Sequence, residues 1–206
     1  VLTSEPTADV TIAVSTSDAS EGSADVSSLT FTAADWNVPQ TVTVTGADDH
    51  VVDGDTEFSI VLENAVSGDP NYDGMDVNDV FASNTDDDAA GITVTPTAGL
   101  TTTEAGGSAT FDVVLSSEPT SDVTIPVASD RTGEGVVSTS QLTFTAADWN
   151  VPQTVTVTGV DDAVQDGDVA YNVTLGAATS ADPLYSGMDA TDVSLSNSDE
   201  IGRAHV

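Results

Sequence analysis

Two arginines and no lysine stand against 35 acidic residues in this chain of 206, a formal net charge of −33. That balance excludes nucleic acid and direct insertion into an anionic membrane, since either would set like charge against like. Cysteine is absent, which removes disulfides, thiolate metal sites and cysteine nucleophiles, and no apolar run approaches the ~18 residues of a membrane-spanning helix.

The stretch LTFTAADWNVPQTVTVTG occupies Leu29 to Gly46 and returns unchanged at Leu142 to Gly159. Its offset of 113 residues holds without a gap from Val1 against Val114 to Asp87 against Glu200, and more than half of the paired positions are identical. Residues 1–88 therefore read as a repeat truncated at its N-terminal side, and residues 89–200 as a complete one. The chain opens on VLTSEP without methionine or signal peptide and reads as a piece of something longer. Residues 201–206, IGRAHV, break the style of everything before them and read as a non-repeat tail, a cloning remnant or a frame end.

Along the complete repeat the apolar residues alternate, which is the period of a strand and not of a helix. In chain order, strand A is ITVTP with Ile92 and Val94 inward, and B is ATFDVVL with Phe111, Val113 and Leu115. C is VTIPV with Val123, Ile125 and Val127, and D is LTF with Leu142 and Phe144. E is TVTVT with Val155 and Val157, F is VAYNVTL with Val169, Tyr171, Val173 and Leu175, and G is DVSLS with Val193 and Leu195. Threonine and serine fill many outward positions, where a polar or β-branched side chain suits a solvated sheet face. No segment reads as a helix. The predicted architecture is all-β: two tandem immunoglobulin-like seven-stranded antiparallel sandwiches, the first lacking its N-terminal strands.

Strands that run up and down send alternate connections to opposite ends of a sandwich. The A–B, C–D and E–F connections and the exit from G then share one pole. They carry Glu104; Asp130 and Glu134; Asp161, Asp162, Asp166 and Asp168; and Asp199 with Glu200. The truncated repeat supplies Glu21, Asp48, Asp49, Asp53, Asp55 and the run Asp86, Asp87 and Asp88. Two carboxylates ~4 Å apart repel by ~1 kcal/mol in water and by ~4 kcal/mol at the effective dielectric near a protein surface. Such a set must splay apart or share a counter-ion. Oxygen-only ligands, with neither thiolate nor a repeated histidine, suit Ca²⁺, which takes 6–8 oxygens in irregular geometry. Against this stands a plainer reading: Asp53-Gly54 and Asp166-Gly167 are common turn dipeptides, and an acidic surface serves any protein in high salt.

At the opposite pole, Asp69 to Gly74 reads DPNYDG, the first half of an EF-hand loop. Val80 stands where that motif needs a bidentate glutamate, and the second copy, DPLYSG, has lost two ligands, so it reads as an acidic loop. Trp36 and Trp149 in the AADWNVPQ connection read as plugs for the end of the sandwich.

A family likeness rests on the order of these elements: glutamate in a T-E-x-G-G turn, an L-T-F strand, T-V-T-V-x-x-D-D-x-x-x-D-G-D ahead of an aromatic strand, and a closing acidic run. The chain resembles Calx-β domain repeats, as in large bacterial cell-surface or secreted adhesin-like proteins, over Val1 to Glu200. The resemblance implies a sandwich that binds Ca²⁺ at its C-terminal pole. It assigns Glu104, Glu134, Asp161, Asp162, Asp166 and Asp199 as metal ligands in the complete repeat. In the first it assigns Glu21, Asp48, Asp49, Asp53 and Asp86 to Asp88. Two family glutamates ahead of the aromatic strand are replaced, by Thr56 and Val169.

The expected function is a non-catalytic Ca²⁺-binding module of a large extracellular or cell-surface protein. Ca²⁺ at the acidic inter-domain pole would stiffen the tandem array for adhesion or cell–cell and matrix contact. Its partners would be neighbouring repeats of the same chain and an extracellular target. The alternatives are a Ca²⁺-responsive regulatory or ligand-binding module attached to an enzyme or transporter, and an inert halophilic spacer. Enzyme chemistry has little to stand on, since His50 becomes Ala163 in the second copy.

Overall fold

The computed structural model describes residues 1–162, 164 and 166–199; Glu200 and the tail 201–206 lie outside them. The described chain forms two compact units, Val1–Asp49 with Asp53–Asp87, and His50–Val52 with the residues from Asp88 onward. Both are all-β. Among the described residues there is no helix long and apolar enough to cross a membrane.

The first unit contains β1 (Val10–Thr16), β2 (Gly22–Ala24), β3 (Ser28–Phe31), β4 (Val44–Gly46), β5 (Thr56–Leu62), β6 (Val66–Ser67) and β7 (Val80–Asn84). One sheet runs β3-β1-β5-β7, with β6 also on β1, and a two-stranded sheet pairs β2 with β4. The second unit contains β8 (Ile92–Thr95), β9 (Leu100–Thr103), β10 (Ser108–Leu115), β11 (Val123–Ser129), β12 (Gly135–Val137), β13 (Gln141–Phe144), β14 (Gln153–Gly159), β15 (Val169–Leu175) and β16 (Val193–Ser198). Its sheets run β12-β14-β10-β8 and β13-β11-β15-β16-β9, a two-layer sandwich. Pairing is antiparallel except for β9, which lies parallel to β16 from Leu100↔Leu195 to Thr103↔Ser198.

Period-two alternation builds the core. Phe111, Val113 and Leu115 from β10 meet Val123, Ile125 and Val127 from β11, with Phe144, Val155, Val157, Tyr171 and Val173 closing one continuous cluster. In the first unit the core divides in two: Val10, Ile12, Phe31, Ala65 and Tyr72 in one part, Val14, Phe58 and Ile60 in the other. Tyrosine pins one end of each sandwich. The Tyr185 hydroxyl donates to the Ser117 carbonyl at 2.7 Å and accepts from its N–H, and Tyr72 repeats both bonds with Ser4.

The single strand A expected from the alternation is two strands in different sheets, β8 on β10 and β9 on β16. The second half escaped the apolar pattern because its inward residue is Thr102, fully buried. Its hydroxyl donates to Asn197 Oδ1 at 3.0 Å and bonds the Tyr171 hydroxyl at 2.9 Å, which makes a threonine acceptable in the core. The edge strand β12 was also unforeseen; it is a short piece of the C–D connection that pairs with β14.

Sequence alone does not decide strand length. QTVTVTG at Gln40–Gly46 is identical to Gln153–Gly159, yet the second is strand throughout and only Val44–Gly46 is strand in the first. The difference is the neighbour: β14 pairs with β10 from Ser108↔Thr158 to Val113↔Gln153, and among the described residues β4 pairs with β2 alone.

Trp149 is buried in the second core, a plug and not an open platform. Asp148 in the same connection accepts the Thr145 N–H at 2.7 Å, and Asp35 does the same for Thr32 at 2.6 Å. These backbone bonds hold both carboxyls below their ordinary range. Here identical sequence gives identical local structure.

Candidate metal centre

Three elements assemble the acidic end of the second unit. Glu134 sits just before β12, and its carbonyl accepts the Val160 N–H at 3.0 Å, tying the C–D connection to the start of E–F. The next residue must be glycine: a Cβ at Gly135 would run into the Tyr171 ring. Asn197, buried near the end of β16, donates through Nδ2 to Glu134 Oε2 at 3.4 Å and to the Val160 carbonyl at 3.1 Å. Glutamate, loop and last strand are thus held by one amide.

The E–F connection then turns back over this point. Asp162 Oδ1 accepts the Val164 N–H at 2.7 Å. Gly167, at φ +77°, makes the turn, and its N–H donates to Asp199 Oδ2 at 3.1 Å. Ser198 Oγ donates to Asp168 Oδ1 at 3.0 Å. The outcome is that carboxylate oxygens of Glu134, Asp162 and Asp166 lie within 4.8 Å of one another. Glu134 is half-buried, and the two aspartates are exposed.

The other candidates of this unit stand outside that group. Asp161 is exposed beside it in sequence, Asp199 is half-buried on the Gly167 turn, and Glu104 is buried at the end of β9 with its N–H on the Ser198 carbonyl at 3.2 Å. Asp130 is taken up elsewhere, by the Asn172 N–H at 2.8 Å and its side-chain amide at 3.1 Å. The Asn172 N–H is the main cause of its lowered carboxyl, assisted by the adjacent Arg131 charge.

The first unit repeats the frame. Glu21, buried, has its carbonyl on the Ala47 N–H at 2.9 Å and its Oε2 on Asn84 Nδ2 at 3.4 Å. Asn84 also donates to the Ala47 carbonyl at 2.7 Å. A Cβ at Gly22 would run into the Phe58 ring. The Gly54 N–H donates to Asp86 Oδ2 at 2.8 Å, and Asp55 Oδ1 accepts the Asp86 N–H at 3.1 Å. The close carboxylates differ, however: Asp48 and Asp87 offer oxygens within 4.8 Å of each other. Asp49 and Asp53, the counterparts of Asp162 and Asp166, are exposed outside that pair. Asp88 belongs to the second unit and is half-buried. Asn84 and Asn197 carry no apolar signal, although both are asparagines at matching positions two residues before a ligand candidate.

At the other pole the EF-hand-like loop is occupied by its own chain. Asp69 is 2% exposed; its carboxylate accepts the N–H of Thr7 at 2.8 Å and of Asn71 at 3.0 Å, with the Asn71 side-chain amide at 2.9 Å. Asp182 accepts the corresponding N–H groups of Thr120 and Leu184 at 2.8 and 2.9 Å. Burial pushes the Asp182 carboxyl up, and these bonds together hold it below its ordinary value. For Asp69 the Thr7 N–H leads in lowering it from 3.8 to about 2. A carboxyl depressed on folding contributes stability that is complete above its unfolded pKa and lost as pH falls through the folded one. The first unit is therefore expected to lose stability between pH ~4 and ~2. In Asp69→Asn that slope should be shallower, as read by thermal melts across the pH series.

No protein-family model matches the chain, and no curated protein matches it by sequence. Among solved structures, the chain is similar to the calcium binding domain CBD12 of CALX1.1, at 16% identity and TM-score 0.47 over 91% of this chain and 86% of that one. It is similar to domains 4 and 5 of the S-layer protein SbsC at 15% identity and TM-score 0.40, over 91% of this chain and 75% of that one. It is also similar to the periplasmic chaperone SfaE at 12% identity and TM-score 0.42, over 53% of this chain and 58% of the chaperone's length.

Proposed function

We propose that the chain is a non-catalytic calcium-binding β-sandwich repeat module of a large extracellular or cell-surface protein. The observation that carries this reading is the group of Glu134, Asp162 and Asp166, from two connections, with oxygens within 4.8 Å of one another. An ion about 2.4 Å from each oxygen requires that spacing or less, and Ca²⁺–oxygen distances run from about 2.3 to 2.6 Å. Three carboxylates supply up to six oxygens, and carbonyls or water complete the shell. The donors are all hard oxygens, which disfavours Zn²⁺ and Cu²⁺, and the turns that carry them suit Ca²⁺ better than the tight octahedron of Mg²⁺.

In the complete repeat, Glu104, Asp161 and Asp199 are the further ligands we assign to this pole. In the first, they are Glu21, Asp48, Asp49 and Asp53 with the exit run Asp86, Asp87 and Asp88. Because the run is where the chain leaves the first sandwich, an ion held there would restrain the segment and stiffen a tandem array. Neighbouring repeats are then the partners within the chain, and an adhesive target lies outside it.

Calcium at about one hundred times Kd stabilises the state that binds it by about 2.7 kcal/mol. For a unit near 110 residues this raises Tm by about 10 °C. Chelation should reverse the rise, and titration calorimetry in molar NaCl should still show saturable heat. Unchanged melts and no heat would instead leave an acidic spacer adapted to salt.

A further inference from the structure

A chain of buried polar groups in the second unit starts in the core and ends at the acidic pole. Asn197, 1% exposed on β16, gives its amide protons to Glu134 Oε2 at 3.4 Å and to the Val160 carbonyl at 3.1 Å. Both partners are acceptors, so Oδ1 must face the other way, where it takes the Thr102 hydroxyl proton at 3.0 Å. Thr102 then has no proton left for Tyr171, and the Tyr171 hydroxyl donates to it at 2.9 Å. From Tyr171 through Thr102 and Asn197 to Glu134, every donor points toward the pole. The first unit repeats the outer link, with Asn84 donating to Glu21 Oε2 at 3.4 Å and to the Ala47 carbonyl at 2.7 Å. Thr102 is also the one fully buried residue of β9, the last strand of its sheet among the described residues. Besides the rungs to β16 and half-buried Leu100, that strand is held by the Thr102 hydroxyl.

We propose that Asn197 is a positioning residue that couples ion occupancy at the acidic pole to the docking of β9. The coupling rests on the calcium reading of that pole. An ion that fixes the Glu134 carboxylate removes the rotamer freedom that a bond as long as 3.4 Å must otherwise overcome. The Asn197 amide is steadied in turn, and with it the acceptor that keeps the Thr102 hydroxyl satisfied in the core. Linkage makes the effect reciprocal: whatever lifts β9 from β16 frees the amide and weakens the hold on the ion. Calcium therefore regulates how firmly one strand is seated, through a residue that does not touch the ion.

The test follows amide exchange at Leu100–Thr103 in the full chain, with Ca²⁺ and with chelator, beside a calorimetric titration of Ca²⁺. In wild type, saturating Ca²⁺ is expected to slow exchange in β9 about tenfold or more, and to slow the edge strand β8 less. Thr102→Val keeps the shape of the side chain and removes its hydroxyl. This variant should bind Ca²⁺ about tenfold more weakly, and its β9 exchange should no longer respond to the ion. A merely structural role for the bond would lower protection equally with and without Ca²⁺, and that result overturns the proposal. A full response that survives in Thr102→Val would run through Glu104, which follows the strand, and overturns it too. Calcium heat in wild type with no change in β9 refutes the coupling and leaves the ion site standing, whereas absence of heat removes the site itself. Should Thr102→Val fail to fold, the wild-type Asn197 side-chain amide decides: its proton resonances should move and exchange more slowly on adding Ca²⁺, and an unmoved amide overturns the proposal.

Discussion

Phe111→Ala is expected to destabilise the second unit by about 3–5 kcal/mol, the usual cost of emptying a buried phenylalanine site. At about 4 °C per kcal/mol for a domain of this size, its melting temperature falls by about 12–20 °C. Phe111 is 1% exposed in the middle of β10, between the two sheets, and β-sheet backbone on both sides resists collapse into the space. Differential scanning calorimetry should show that transition move and the transition of the first unit stay. Among the described residues the first unit's core forms two smaller clusters, so in this 206-residue chain its transition should be the lower of the two. A variant that melts within 2–3 °C of wild type (well under the ~12 °C minimum expected) would mean that the sandwich tolerates a hole here.

The second large effect is one of sign. Without calcium, Asp162→Asn/Asp166→Asn should melt at or above wild type, since each removed repulsion is worth about 1 kcal/mol in water-like surroundings. With calcium at about one hundred times the wild-type Kd, the variant should lack the stabilisation of about 2.7 kcal/mol and fall below wild type. Asparagine keeps an oxygen for the Val164 N–H that Asp162 Oδ1 accepts, so the loop has no reason to unfold. A crossing of the two melting temperatures separates an ion site from a merely repulsive surface. An increment that survives in the variant would move the site away from these residues.

Strands whose inward residues are apolar were legible from alternation alone: β10, β11, β13, β14, β15 and β16 of the second unit bury the predicted side chains, save for half-buried Val169. What stayed hidden was held by polar groups or by a partner. Thr102 carries β9 into the core through hydrogen bonds, which no hydropathy pattern displays. The heptad QTVTVTG is strand or partly strand according to what lies beside it. Up-and-down connectivity set three acidic connections at one pole, and Glu134 does meet Asp162 and Asp166 there. Which carboxylates approach was not readable, because Asn197 and the Gly167 turn choose among them through bonds of single atoms. The same residue types in the first unit bring Asp48 to Asp87 instead.

The parallel pairing of β9 with β16 has a mechanical meaning. Tension applied through the two ends of the second unit meets β8 on β10 first and, once those rungs give, pulls β9 toward the N-terminus and β16 toward the C-terminus. The rungs from Leu100↔Leu195 to Thr103↔Ser198 are then loaded together, in shear, and must fail at once. An antiparallel edge loaded at its open end would unzip one rung at a time. Under load these parallel rungs make the second sandwich a latch.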